Sequence, residues 1–137
     1  SPAEGRDFEY ARKYWKPIFD KYNVDLVLNG HDHTYARGHI PVQEKDNDKS
    51  GNFKTLYVTS VSGPKQYKVD LDKIKNYEND GYKSIKTGEQ MQFFQVIKIE
   101  NDNLIYKAYT VLGDLFDEAL IKKDFSNGLK SYYNENK

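Results

Sequence analysis

The sequence predicts an α/β fold with helices flanking a sheet. An amphipathic helical pattern at residues 6–22 leads directly into an almost wholly apolar strand at 24–29. Such a strand is typical of a sheet that helices cover. Strand patterns at 93–100, 104–111 and 115–123 then follow one another across short turns, which indicates an antiparallel unit. The chain of 137 residues is long enough for one domain with its own core.

The N-terminal helix is expected to be interrupted. Pro17 lies inside it and lacks the amide hydrogen that the helical ladder needs, so a split or kink is predicted there. After the helix, the strand at 24–29 ends at Gly30, whose freedom permits a sharp exit. The apolar residues of the helix follow helical spacing and are Phe8, Ala11, Trp15, Ile18, Phe19 and Tyr22.

The middle of the chain is the least regular part. Residues 38–55 are polar and include a surface turn at 44–52, and residues 55–61 are rich in β-branched side chains and predict a strand. Residues 62–92 predict an ordered loop with one short helical turn. Because long loops inside a domain are often functional, this loop is expected to form a lid or a binding edge.

The C-terminal part predicts strands followed by a polar tail. Asn101-Asp102-Asn103 joins the patterns at 93–100 and 104–111 and signals a hairpin. Residues 115–123 have helical propensity, but the preceding turn and the closely spaced strands favour a third strand. The tail at 124–137 predicts a short helix with a frayed end.

Composition excludes several classes of function. The chain has 21 basic and 21 acidic residues, and this balance argues against a nucleic-acid or anionic-membrane partner, which needs clustered Lys and Arg. No apolar run approaches the roughly 20 residues of a membrane-spanning helix. Cysteine is absent, so disulfides and thiolate metal sites are excluded.

His31 and His33 carry the most specific chemistry in the sequence. They follow the apolar strand in the run Gly30-His31-Asp32-His33. In an extended segment, side chains at i and i+2 point the same way, about 6.5–7 Å apart. Two neutral imidazoles suit a metal ion, and sites in open α/β sheets form just beyond the carboxyl ends of strands. The pattern therefore predicts a metal site with His31 and His33 as ligands.

Other interpretations of these motifs remain open. The two histidines would be ordinary loop residues if no ligand binds, and a single ion held by His31, His33 and His39 is a further alternative. Residues 46–51 resemble the start of an EF-hand loop, but Tyr57 stands where the loop needs a bidentate Glu. A polar turn is the better interpretation of that segment.

Residues 24–37, VDLVLNGHDHTYAR, closely resemble the last signature block of the calcineurin-like metallophosphoesterases. The purple acid phosphatases are the most similar branch, with Gly-His-x-His followed by x-Tyr-Glu-Arg. Here Ala36 takes the place of that Glu. The strand at 55–62, the glycine turn after it and the terminal hairpin through Asp117 also resemble this branch. The resemblance implies the C-terminal half of the family's two-sheet α/β sandwich, a mixed sheet with a flanking helix and a terminal antiparallel hairpin.

The resemblance also implies hydrolysis of phosphomonoesters at a pair of metal ions. His31 would bind a divalent ion, and His33 would bind the other ion, which is ferric in purple acid phosphatases. Iron, zinc and manganese all accept imidazole ligands. Beyond these two metal ligands, the resemblance places no catalytic residue in this chain.

The family's other ligands come from earlier blocks that this sequence lacks. Those blocks supply an Asp, a bridging Asp beside a Tyr, an Asn in a Gly-Asn-His motif and another His. Residues 1–137 are therefore expected to be a single partial domain, inactive alone and holding metal weakly or not at all. The missing N-terminal part of the same domain is the expected partner. A domain that lacks part of its chain is expected to expose apolar sheet surface, which predicts dimerisation, strand exchange or marginal stability. The resemblance also implies a secreted or periplasmic location.

Tyr35 and Arg37 follow the histidines on the same loop and have two interpretations. They could support the ligands or contact phosphate, since a guanidinium binds phosphate through paired hydrogen bonds. They could instead provide packing, for Tyr35, and a surface ion pair, for Arg37. The structural role is favoured.

The twelve tyrosines allow a different class of function, a carbohydrate- or ligand-binding module without catalysis. Strand patterns predict core positions or cross-strand pairs for some of them. Others lie in the 62–92 loop and would line a substrate edge. The first group is Tyr57, Tyr106 and Tyr109, and the second is Tyr67, Tyr77 and Tyr82.

Overall fold

Two four-stranded β-sheets dominate the computed structural model, which describes residues 10–42, 52–126, 128 and 130–133. The first sheet is mixed and contains β1 (Leu26–Asn29), β2 (Tyr35–Pro41), β3 (Phe53–Thr59) and β4 (Lys83–Gly88). Its spatial order is β1-β3-β2-β4, with β1 parallel to β3 and the other neighbours antiparallel. The mixed α/β fold with two sheets is confirmed.

The second sheet is entirely antiparallel, in the order β5-β6-β7-β8. Its strands are β5 (Phe93–Glu100), β6 (Asn103–Thr110), β7 (Leu115–Lys123) and β8 (Lys130–Tyr133). The predicted hairpin is confirmed, since β5 and β6 pair from Phe93↔Thr110 to Glu100↔Asn103. The third strand predicted at 115–123 is also confirmed.

The sheets share one hydrophobic core. Buried apolar residues of both sheets form a single cluster, so the two layers pack against each other. The cluster contains Tyr35, Phe53, Leu56, Val58, Val61, Phe93, Tyr106, Ala108, Ala119 and Ile121.

The N-terminal helix is confirmed for the described residues and changes type at the predicted place. A π-helical turn at Ala11–Trp15 continues into α1 (Lys16–Lys21). Pro17 lies in the first turn of α1, where its missing amide hydrogen costs no bond. Residues 6–9 of the predicted helix lie outside the described residues. No helix in the described ranges is long and apolar enough to cross a membrane.

The apolar face of this helical segment is not buried as predicted. Trp15 is 61% exposed and Ile18 is 50% exposed. Phe19 is half-buried and contacts Tyr57 of β3, with 6.4 Å between ring centroids. Among the described strands, β1 lies next to β3 and is the edge of the first sheet. The sheet therefore offers the helix little surface past this edge.

The prediction of a loop at 62–92 is wrong for about half of its length. It contains α2 (Leu71–Asn79) and β4. Asp70 caps α2, because its carboxylate accepts a hydrogen bond from the Lys73 amide at 2.9 Å. β4 is polar and lacks strand alternation, so its pairing with β2 depends on the neighbouring strand rather than on its own pattern.

The tail was also predicted wrongly, because it contains β8 rather than a helix. The buried Lys130 fixes this strand. Its Nζ donates to the carbonyl oxygens of Asn23 at 3.0 Å and Val24 at 2.8 Å, and it lies 3.3 Å from Asp25 Oδ1. Burial lowers the pKa of Lys130. The tail is therefore held by contacts more than 100 residues away in sequence.

At the β1 edge, core-side apolar side chains are exposed, so the predicted burial of this strand on both faces is wrong. Leu28 pairs with the buried Val58 yet is 55% exposed. A second case lies in the other sheet, on β5. There, Ile99 pairs with Leu104, which packs against the core, yet Ile99 is 73% exposed. In the described part of the chain, no strand pairs with the outer side of β1.

This edge leads to a prediction about self-association. We expect the 137-residue chain to dimerise, exchange strands or melt at marginal stability, because an unpaired strand edge beside apolar side chains attracts another strand. Leu28→Lys should shift the population toward monomer, since a charged side chain on an edge strand disfavours pairing with another strand. Light scattering and thermal melting would measure this. A wild-type monomer with a sharp melting transition would contradict the prediction.

Candidate metal site

His31 and His33 lie on the bend that leaves the carboxyl end of β1. Residues 31–34 form this bend between β1 and β2. His31 is exposed and His33 is half-buried, whereas Asp32 and Thr34 are buried. The extended segment that the prediction assumed for the two histidines is not formed, because residues 31–34 are a bend.

The sharp turn of the chain falls on His31 rather than on Gly30. His31 has a φ of 72°, whereas Gly30 does not adopt a positive φ. The left-handed residue at the exit from β1 is therefore His31, one position after the glycine that was expected to permit the turn. A non-glycine residue in the left-handed region is strained by about 1–3 kcal/mol, and such residues cluster at functional sites.

His33 is held in one orientation by a loop from the middle of the chain. Its Nδ1 lies 2.8 Å from the carbonyl oxygen of Lys65. Because a carbonyl only accepts hydrogen bonds, Nδ1 carries the hydrogen and Nε2 presents its lone pair. The Tyr67 ring meets the imidazole edge-on, with centroids 4.9 Å apart. Metal-ligating histidines commonly donate a hydrogen bond from their second ring nitrogen to a carbonyl or carboxylate in this way.

His39 does not join the other two histidines. It lies on β2, is buried, and packs against Phe53 with 5.4 Å between ring centroids. Burial, together with the positive charges of Lys83 and Arg37, lowers the pKa of His39 to about 4. Within the described residues, no three His, Cys, Asp or Glu side chains are grouped to hold a metal ion. The three-histidine arrangement is thus not formed there.

Tyr35 and Arg37 lie on β2, not on the loop where they were predicted. Both are completely buried. Arg37 pairs with Asp117 of β7 through Nε at 2.6 Å and Nη2 at 2.7 Å, and the Tyr35 hydroxyl donates to Asp117 Oδ2 at 2.6 Å. A guanidinium buried in this way cannot reach a phosphate. Its position on β2, paired with Asp117 of β7, stabilises the strand that follows the histidine bend.

Sequence reasoning missed the partners of the site. Asp117 was placed only in the terminal hairpin, and nothing in its strand pattern indicates that it meets Arg37, 80 residues earlier. The contact between His33 and Lys65 uses a main-chain oxygen. Because every residue has one, the sequence does not indicate this contact. The placement of Tyr67 at a predicted binding edge was the one available signal.

The tyrosine predictions are confirmed for two of the three strand positions. Tyr106 is fully buried, and Tyr109 stacks on its cross-strand neighbour Phe94 at 5.4 Å. Tyr57 differs, because it is half-buried and its ring contacts Phe19 of α1.

The loop tyrosines separate into two places. Tyr67 contacts His33. Tyr77 and Tyr82 contact each other at 6.4 Å, Tyr82 packs closely over Gly38 of β2, and Tyr77 receives a hydrogen bond from Arg12. Two of the three tyrosines are therefore engaged in packing, Tyr82 against β2 of the first sheet and Tyr77 against Tyr82 and Arg12.

The EF-hand-like segment at 46–51 and most of the surface turn at 44–52 lie outside the described residues.

Comparison with known proteins finds short local similarity. The chain is 57% identical over 28 residues to the uncharacterized proteins MT2654 of Mycobacterium tuberculosis strain CDC 1551 / Oshkosh and Rv2577 of strain H37Rv. The match covers 20% of this chain and 5% of each relative. No protein-family model matches the chain. No solved structure matches it either.

Proposed function

We propose that this chain contributes His31 and His33 to a dinuclear metal site that hydrolyses phosphomonoesters. The observation that carries the proposal is the hydrogen bond from His33 Nδ1 to the Lys65 carbonyl, which leaves Nε2 ready for a metal ion. The strained backbone of the exposed His31 adds support, since such strain is typical of functional residues. The finer fold assignment, half of a metallophosphoesterase sandwich, is part of the same proposal.

The residues present fit such a site as a partial ligand set. His31 would hold a divalent ion and His33 the second ion, with iron, zinc and manganese all suited to imidazole. When bound, a metal pair polarises the phosphoryl group and supplies an activated water as nucleophile. Two imidazoles are fewer than the three protein ligands of a typical catalytic site, so further ligands are needed to complete it.

The chain's own contribution is to orient the ligands. The Lys65 carbonyl selects the tautomer of His33. The buried pair of Arg37 and Asp117 anchors β2, the strand that follows the bend. We propose that the N-terminal part of the same domain completes the site and that the whole enzyme acts outside the cytoplasm. An acid phosphatase-like hydrolase is the parent activity.

The experiment that tests the proposal is a zinc titration of the 137-residue chain followed by NMR. We expect weak binding that perturbs the His31 and His33 signals first. His31→Gly, which also relieves the backbone strain, and His33→Ala should abolish it. His39→Gln is the matched control, and binding should persist in it because His39 faces the core. Zinc that perturbs none of the bend residues would refute the site.

The same samples address activity. We expect the isolated chain to release no p-nitrophenol from p-nitrophenyl phosphate, because its ligand set is incomplete. In a longer protein that carries this segment, His33→Ala should lower kcat/KM by more than about 100-fold. Metal-independent binding on a glycan array would instead favour the alternative, a carbohydrate-binding module.

A further inference from the structure

A short segment, Lys65–Tyr67, contacts His33 at three points. The Lys65 carbonyl oxygen lies 2.8 Å from His33 Nδ1. The Tyr67 amide donates to the His33 carbonyl oxygen at 2.9 Å. The Tyr67 ring meets the imidazole at an interplanar angle of 78°. The segment therefore contacts the main chain, the ring nitrogen and the ring edge of one residue.

Each contact restricts a different freedom of His33. The amide bond from Tyr67 fixes the main chain where the bend ends. The bond to the Lys65 carbonyl fixes the tautomer and the ring rotation. The Tyr67 ring occupies one side of the imidazole and limits its swing. Together they leave His33 with one direction for Nε2.

The segment is itself anchored to the second sheet. Gln66 Nε2 donates to the Gly63 carbonyl at 3.0 Å, which closes the turn that precedes Tyr67. Upstream, the Phe93 amide donates to the Val61 carbonyl at 2.8 Å. Gln92 Nε2 donates to the Ser62 carbonyl at 2.8 Å. The position of His33 thus depends on the packing of β5 as well as on β1.

We propose that Tyr67 is a positioning residue for His33 and that the Lys65–Tyr67 segment sets the metal affinity of this histidine. The identification of a metal ion as the ligand rests on the proposed function. The positioning itself is a property of the chain that is measurable without metal. Partners that orient a metal-binding histidine are worth about 10- to 100-fold in metal affinity.

The test uses the full 137-residue chain and long-range proton–nitrogen NMR of the histidine rings. In the wild type we expect His33 to carry its hydrogen on Nδ1. Tyr67→Pro removes the amide that donates to His33 and should produce a mixture of tautomers, with zinc affinity lowered about 10-fold. Tyr67→Phe keeps the amide and the ring, so it should restore both the tautomer and the affinity. Tyr22→Ala removes an exposed aromatic ring elsewhere and is the matched control.

The outcomes separate the two proposals. A wild-type chain that binds no zinc but shows the Nδ1 tautomer, lost in Tyr67→Pro, contradicts zinc binding by these 137 residues and supports the positioning role. Zinc binding with unchanged tautomer and affinity in Tyr67→Pro overturns the positioning role alone. If Tyr67→Pro fails to fold, Tyr67→Ala, which keeps the amide, replaces it. In that variant, an unchanged tautomer and zinc affinity overturn the role of the ring, and a loss of either supports it.

Discussion

Asp117→Ala is expected to lower the free energy of unfolding by about 3–5 kcal/mol, the usual cost of breaking a buried ion pair from one side. Asp117 is 5% exposed, and its partner Arg37 is fully buried. The change removes the carboxylate that the buried guanidinium binds through two nitrogens. We expect the largest loss of stability for any single change discussed for this chain.

The carboxylate of Asp117 is unusually well satisfied. Besides its bonds from Arg37 and Tyr35, its Oδ1 accepts the Glu118 amide at 3.0 Å. Burial raises the pKa of Tyr35 well above its usual range and that of Tyr106 to about 12, so both hydroxyls keep their hydrogens. Since Tyr35 donates to Asp117, Tyr106 donates to Tyr35 across 3.1 Å.

Equilibrium unfolding in urea measures this effect, and two variants control it. Glu100→Ala removes the exposed pair with Lys98 and should change stability by about 1 kcal/mol or less. The double variant Arg37→Met with Asp117→Leu should recover much of the loss, because it leaves no unpaired charge. A loss below about 1 kcal/mol for Asp117→Ala would show that the pair contributes nothing specific.

Gly38→Ala is expected to cost about 3 kcal/mol, at the upper end for overpacking a core. Gly38 lies in the central strand β2, and an added Cβ would overlap both the Tyr82 ring and the Lys83 carbonyl oxygen. The ring can rotate away, but the carbonyl belongs to the neighbouring strand β4. The pairing of β2 with β4 must therefore shift.

The matched control is a glycine in open space. No heavy atom lies within 4 Å of a Cβ built at Gly63, so Gly63→Ala should be neutral or stabilising by a few tenths of a kcal/mol to about 1 kcal/mol. The midpoints of urea unfolding compare the two variants. Equal midpoints for Gly38→Ala and Gly63→Ala would show that β4 yields without cost.

The histidine pair was predictable because its signal is local. An apolar strand, a glycine and two histidines at i and i+2 stand within one short run of the sequence. The supporting contacts were not predictable. His33 meets Lys65 through a main-chain atom 32 residues away, and Arg37 meets Asp117 across the interface of two sheets.

In the fold, too, local features were predictable and those that depend on distant contacts were not. The strong alternation and tight turns of β5, β6 and β7 predicted those strands, because consecutive antiparallel strands pair with what lies next to them in sequence. The strands β4 and β8 were missed because their residues are polar. They pair with β2 and β7, which already occupy the sheets, so their conformation follows from the neighbouring strand.

The sequence by itself determined the mixed α/β class, the antiparallel C-terminal strands and the histidine pair, since each depends on residues within a few positions of one another. Only the tertiary structure decided which strands lie at the sheet edges, that the N-terminal helix is largely exposed, and that Tyr35 and Arg37 are buried. These depend on which distant surfaces meet, and burial of a charge becomes favourable only where a matching partner such as Asp117 arrives.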